Sequence, residues 1–499
     1  PTRRSSDLAP AYSLAASLGF IVLGGTVLVG FQAPGIVLLA FVPMFFISVA
    51  YKELNRAEPD CGTVFTWGAR AFGTRTGWMG GWALIAADVI CMANLAQIAG
   101  SYSFTFVGEI TGNSAIGDIS GDVFWSTVAG LAWIFLMTWI CYRGIEISAK
   151  VQYALLGIEM VILVIFGVLA LVRVYSGNGI DGSSLPDWSW FNPFTLPFDT
   201  AIAPAILLAL FIYWGWDTAV AINEETKDPA KTPGRAAVIS TVLLLVTYLL
   251  VTVGAVAFAG VGDGATGLGN VDNAGDIFKA IGPALFGDSI FGHIMMMLLA
   301  ASVLTSAAAS TQTTILPTAR GALSMAAFKA IPSSFAKVHP KFLTPSWATW
   351  GMGIISAGFY LLLTLVSSDL LLACIGSIGL LIAVYYGLTG YASVWYFRKT
   401  LFKSFRNFIM RGLTPLLGGL MLTGVFIYGT VQFLQPDWLV STGADGKDYN
   451  VTIFGLGAVG VVGLGALIVG AVLMVIYNLV RSDYFKGKTL ERRAHPAHD

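Results

Sequence analysis

Apolar runs of about 20 residues recur from one end of the chain to the other, and no other feature limits its fold as tightly. A run of that length crosses the ~30 Å hydrocarbon core of a bilayer as an α-helix. Lipid offers no partner to backbone N–H and C=O groups, so successive runs of this kind fold as a bundle of spanning helices. With 56% hydrophobic residues, 11% charged residues and a mean hydropathy of +0.76, the 499-residue chain is an all-α polytopic membrane protein, and lipid is its principal partner. About twelve spans are expected, one for each run. In order they cover Ala9–Val29, Ala33–Ala50, Gly77–Phe106, Val123–Cys141, Ser148–Val172, Ala201–Ile222, Ala237–Ala259, Phe291–Leu316, Ser346–Val366, Leu370–Trp395, Leu413–Leu434 and Ile453–Leu479.

Charge bias orients the bundle. Beyond residue 8 there are 26 Lys and Arg, of which 23 fall in alternate loops and the tail, against Arg173, Lys279 and Lys447 on the other side. The basic side is expected to be cytoplasmic, and an even number of spans puts both termini there, in the cell membrane. The overall charge of zero hides this asymmetry and offers nothing to nucleic acid. Four cysteines, Cys61, Cys91, Cys141 and Cys374, and four scattered histidines show neither a disulfide framework nor metal-ligand spacing. No cofactor is implied.

The first eight residues, PTRRSSDL, meet an apolar helix with no loop between them. Back-translated as CCT ACA CGA CGC TCT TCC GAT CT, they match the end of a common sequencing adapter. They are expected to be foreign to the fold, which leaves the native start of the first helix missing from this copy.

Two spans carry breaks. The first has Pro10 ahead of Ala11, Tyr12 and Ser13, and a proline both lacks an N–H and pushes its predecessor out of helical geometry. The sixth places Tyr213, Trp214, Gly215, Trp216 and Asp217 within its apolar run. Each opens a block of five spans, an arrangement in which transporters built from two inverted repeats hold substrate and ion at the midplane. The sixth span and the charged loop after it, from Phe211 through Gly215-Trp216-Asp217, Glu224-Glu225, Lys227-Asp228-Pro229 and Thr232-Pro233-Gly234-Arg235, resemble the signature of the amino acid, polyamine and organocation permeases. The loop after the second span adds Pro59, Cys61-Gly62, Phe65, Trp67, Arg70-Ala71-Phe72-Gly73, Gly77-Trp78 and Gly81-Trp82, and the eighth span ends on Thr318-Ala319-Arg320. The resemblance runs from Ala9 to Trp395. It departs in the first span, where many members have a Gly-Ser-Gly break and this chain has Ala9-Pro10-Ala11-Tyr12-Ser13.

The resemblance implies two inverted five-helix repeats, 9–175 and 199–396, followed by two further helices over 412–479 and a tail at 480–499. It implies that spans 1, 2, 6 and 7 rock against spans 3, 4, 8 and 9, with spans 5 and 10 as gates. An amino acid needs donors for its carboxylate, acceptors for its ammonium and a wall for its side chain. Ala11, Tyr12 and Ser13 are expected to supply the donors, carbonyls from Ile212 through Tyr213 and Trp214 to Gly215 the acceptors, and Phe211 with Trp214 the wall. Phe211 closes over the substrate by resemblance. Packing between helices is the ordinary role for such aromatics.

Three carboxylates lie inside spans, at a cost of ~2.5–3.5 kcal/mol each on the insertion scale. Glu159 occupies a position where related permeases often carry a lysine, and Asp217 the acidic position of the sixth span. Both are expected to couple transport to an ion. Asp88 has no motif behind it and reads as a core carboxylate held by a hydroxyl or backbone group, with proton coupling as its other role. Thr305 and Ser306 fall where sodium-coupled relatives of the fold place hydroxyl ligands, so the driving ion is H⁺ or Na⁺. Small and hydroxyl residues also pack helices closely. No phosphate-binding loop exists: Gly487-Lys488-Thr489 has Ser482 where the required glycine would be. The expected function is secondary active transport of an amino acid, by symport or as an antiporter, with a polyamine or organocation exchanger as the nearest alternative. A channel would need pore loops or charge rings, and an enzyme a convergent set of intramembrane catalytic groups.

Overall fold

The computed structural model describes residues 26–270, 273, 277–366, 368–442 and 448–489. Ten helices in it are long and apolar enough to cross a membrane, and they match expected spans 2 to 5 and 7 to 12. They are Ala33–Ala57, Thr74–Thr111, Val123–Tyr142, Ile145–Tyr175, Thr232–Ala259, Ile290–Ala327, Ser346–Val366, Ser368–Phe397, Thr414–Phe433 and Ala458–Val480. The sixth span is divided, with Ala203–Ile212 on one side of a gap and Thr218–Ala221 on the other. Of the first span only the turn Thr26–Val29 is described. Residues 1–8, Pro10, Ala11, Tyr12 and Ser13 lie outside the described residues.

Several helices outrun their apolar stretches. Hydropathy marks only the hydrocarbon core, whereas a helix continues through the interface until something caps it. The third span runs to Thr111, where Gly112 takes the left-handed conformation at φ 62°. The twelfth span does the reverse, starting at Ala458 instead of Ile453. Here Thr452–Ile453 pairs antiparallel with Leu456–Gly457 across a turn whose two central residues, Phe454 and Gly455, both have positive φ (54° and 78°). Such a turn suits a two-residue hairpin and excludes helix. Helices outside the expected spans include Val64–Phe72 in the loop after span 2, Ser114–Asp118 between spans 3 and 4, and Ile277–Phe286 ahead of span 8.

Packing follows the two-fold logic of repeated units. Span 3 packs on 8, 2 on 7 and 4 on 9, while 5 on 8 is matched by 10 on 3, and 5 on 7 by 10 on 2. Adding or subtracting five converts each pairing into itself or into another on the page. Spans 11 and 12 lie outside this set, span 11 against spans 10 and 2, span 12 against 10 and 3. Backbones meet closely where side chains vanish. A Cβ on Gly100 would stand 2.0 Å from the Ser126 carbonyl oxygen, and one on Gly130 would stand 2.5 Å from that of Ala96, so spans 3 and 4 require both glycines.

Candidate substrate and coupling site

The break in span 6 is local in origin. Helix geometry ends at Ile212, Gly215 adopts φ 103°, a region that favours glycine, and helix resumes only at Thr218. Among the described residues the amides of Gly215 and Trp216 make no backbone hydrogen bond. Neighbouring helices meet part of what the break exposes: the Tyr248 hydroxyl of span 7 donates to the Ile212 carbonyl at 2.7 Å. The Tyr213 hydroxyl in turn donates to the Val37 carbonyl of span 2 at 3.0 Å. Buried backbone groups in lipid demand such partners.

Asp217 begins the second half of span 6 and is 4% exposed. Its backbone carbonyl accepts from Val220 and Ala221, and its side chain accepts a 3.4 Å hydrogen bond from the Tyr385 hydroxyl of span 10. The Trp214 indole donates to that same hydroxyl, which links the aromatic of the break to the carboxylate. Tyr386 lies beside Asp217, stacked on Trp216 with ring centroids 5.0 Å apart. Tyr51 of span 2 meets Trp216 edge-on at 5.0 Å and Tyr386 at 5.6 Å. The Phe211 ring is buried, 6.1 Å from that of Trp214. Asp88 accepts from the Thr318 hydroxyl of span 8.

Glu159 lies apart from this cluster, between spans 5 and 8. It is 1% exposed and accepts a 2.7 Å hydrogen bond from Ser306. Thr305, the other half of the expected hydroxyl pair, turns away: its hydroxyl donates to the Ser302 carbonyl of its own helix at 3.1 Å. Adjacent positions on a helix point about 100° apart, so only one of the two can face span 5.

At the basic end of the bundle the loop motifs close on one another. Arg320 donates through Nε to Glu225 at 2.7 Å, and Asp60 accepts from the Gly62 amide and the Thr66 and Ser324 hydroxyls at 2.8 to 3.0 Å. Asn223 donates to Asn55, which donates to the Pro229 carbonyl, both at 2.7 Å. Ligand atoms of Asp60, Cys61 and Glu224 fall within 4.8 Å of one another. Burial, then Glu224 and Asp60, push the Cys61 thiol well above its ordinary value, and the Arg320 guanidinium stands alongside.

Sequence reasoning missed the tyrosines. Tyr51, Tyr248 and the adjacent pair Tyr385 and Tyr386 are aromatics in apolar spans, with no spacing to distinguish them from core residues. Their only signal is the phenolic hydroxyl itself, which needs a partner when buried.

A family model described as amino acid permease matches residues 8–459. The branched-chain amino acid permease BcaP of Bacillus subtilis is 26% identical over 356 residues, covering 68% of this chain and 70% of that one. BcaP of Lactococcus lactis is 25% identical over 47% of this chain, which spans 51% of the relative's length. The human large neutral amino acids transporter small subunit 2 is 24% identical over 71% of this chain and 62% of its own. Among solved structures, that of MhsT in complex with L-phenylalanine superposes with a TM-score of 0.55 at 14% identity, over 86% of this chain and 98% of that one. That likeness concerns the fold.

Proposed function

The chain belongs to the amino acid permease family, and from that premise we propose that it is a secondary active transporter carrying an amino acid across the cell membrane. The break in span 6 is the observation that carries this reading. It presents amides without backbone partners among the described residues, a carbonyl-rich turn and the buried Asp217, together with the Phe211 and Trp214 rings. A substrate ammonium meets the carbonyls between Ile212 and Gly215. The substrate carboxylate meets amide groups at the break, together with those expected of Ala11, Tyr12 and Ser13. Phe211 and Trp214 form the side-chain wall. The relatives named for branched-chain and large neutral amino acids favour an apolar side chain there.

Coupling is assigned to Glu159 with Ser306, and to Asp217 with Tyr385. A proton or Na⁺ taken up at Glu159 neutralises a carboxylate that the membrane otherwise penalises. Such a ligand drives alternation only if the two states bind it differently. With the basic side taken as cytoplasmic, both termini face the cell interior. The ring of Tyr51, Trp216 and Tyr386 around Asp217 would also suit an organic cation, which keeps amine exchange as the second reading.

Uptake of radiolabelled leucine and phenylalanine into proteoliposomes tests the proposal. Saturable accumulation that follows an imposed proton or sodium gradient, and is reduced by unlabelled neutral amino acids, is expected. Flux that neither saturates nor responds to a gradient would sink it. Competition by polyamines, with none by amino acids, would select the second reading. Glu159→Gln is expected to reduce gradient-driven uptake about tenfold, the effect of losing a hydrogen bond to a charged group, while equilibrium substrate binding stays within about threefold.

A further inference from the structure

Between spans 10 and 11 the chain turns at the basic end of the bundle through residues 398–411, RKTLFKSFRNFIMR, a segment with five cations and no carboxylate. It forms an ordered elbow. A 3₁₀ turn over Leu401–Lys403 leads to Ser404, whose hydroxyl accepts from the Asn407 amide at 3.1 Å, and a π-helical stretch over Phe408–Leu413 runs straight into span 11. Leu401 packs inward against the core, while Phe402 and Phe405 stand 84% and 80% exposed. At the adjoining end of span 10, Trp395 and Tyr396 are also exposed, and the Arg398 guanidinium lies 4.4 Å above the Trp395 ring.

The elbow starts where the helix ending at Phe397 stops, and from Phe405 it is already part of the apolar helical run that ends at Phe433, so it lies at the edge of the hydrocarbon. Two phenyl rings held so far outward on a folded turn have an apolar phase to enter at that depth, and Trp, Tyr, Lys and Arg are the residues that mark the interface. The cations are unequally used. Arg406 and Arg411 both bind Glu53, at 2.6 and 2.7 Å, yet the Arg406 side chain remains 50% exposed. Arg398, Lys399 and Lys403 have no carboxylate partner among the described residues.

We propose that this elbow binds an anionic phospholipid of the leaflet at the basic end of the bundle. The phosphate and headgroup charge sit against Lys399, Lys403 and the outer side of Arg406, and an acyl chain lies along Phe402 and Phe405. A zwitterionic lipid brings a compensating cation of its own, so unpaired positive charge selects for net negative lipid. Arg406 joins the site to the bundle, because the same guanidinium holds Glu53 at the end of span 2.

The test uses the full chain, reconstituted with equal phosphatidylglycerol and phosphatidylcholine and extracted in mild detergent, with retained lipid read by native mass spectrometry. Phosphatidylglycerol is expected in excess by about fivefold. The double variant Lys399→Gln with Lys403→Gln should bring the ratio near parity, while Lys337→Gln with Lys341→Gln, exposed on another basic loop, leaves it unchanged. Equal retention of the two lipids by the unaltered chain, or equal loss in both double variants, overturns the proposal. A spin label at Phe402→Cys gives a second readout, since all four native cysteines are buried. Relaxation by oxygen above that by a water-soluble nickel chelate is expected, and the opposite order places the elbow in water and refutes the site.

Discussion

Glu53 and Asp217 are both buried carboxylates on spans that the proposed mechanism moves together, and their surroundings are opposite in kind. Glu53 meets two guanidiniums, at 2.6 and 2.7 Å, near the basic end of span 2. Asp217 meets a tyrosine hydroxyl and a cage of rings, and has no ion pair among the described residues. A carboxylate neutralised by fixed cations is a fastener, and its removal leaves uncompensated positive charge behind. A buried carboxylate with no fixed cation beside it is one whose charge something that arrives can meet, whether a proton, a metal cation or a substrate ammonium. The contrast distinguishes carboxylates held by fixed cations from those without one, where burial alone does not.

The widest separation should appear in stability. Glu53→Ala is expected to destabilise the protein by about 3 kcal/mol, the lower end for a broken buried ion pair because Arg406 is half exposed. Asp217→Asn, which keeps the shape and exchanges charge for an amide, should change stability by less than about 1 kcal/mol. Thermal unfolding in detergent, followed by thiol-reactive dye, measures both. Comparable losses in the two variants would erase the distinction. In transport the order reverses. Asp217→Asn should lower gradient-driven uptake about thirtyfold, equivalent to ~2 kcal/mol for a lost charged hydrogen-bond acceptor.

Tyr385→Phe probes the same cluster one step away. The hydroxyl accepts from the Trp214 indole and donates to Asp217, so its loss removes one acceptor from the indole and one donor from the carboxylate. A cost of about 1–1.5 kcal/mol, or five- to tenfold in uptake, is expected with the Glu53 anchor undisturbed. Uptake equal to that of the unaltered protein would remove Tyr385 from the site and leave Asp217 to be explained by its rings alone.

These expectations show which parts of the molecule could be read from residue order. The span 6 break was legible because every group that makes it, from Phe211 to Asp217, is contiguous, and Gly215 requires a backbone that other residues resist. Span positions were legible because hydropathy records the solvent each segment meets. The cage was not: Tyr51, Trp216 and Tyr385–Tyr386 come together from three helices far apart in sequence. Nor was the Glu53 anchor, since its arginines lie 353 and 358 residues further along the chain. Pairings of that kind are set by how helices pack, which no local pattern contains.

The smallest effect tests the finest distinction, between neighbours on span 8. Thr305 and Ser306 looked equivalent as hydroxyl ligands, but rotation of about 100° per residue lets only Ser306 reach Glu159, at 2.7 Å, while the Thr305 hydroxyl bonds to its own helix. Ser306→Ala removes a hydroxyl donor from the Glu159 carboxylate, so a loss of about 0.5–1 kcal/mol and a weaker response to the driving ion are expected. Thr305→Ala removes a back-bond of the kind that slightly destabilises a helix, so it should leave stability within about 0.5 kcal/mol and ion dependence unchanged. Ion-dependence curves of uptake for the two variants decide the matter. If Thr305→Ala weakened the ion response as much as Ser306→Ala, the cation would have to bridge both hydroxyls, and span 8 would have to turn on its axis to present them during the cycle.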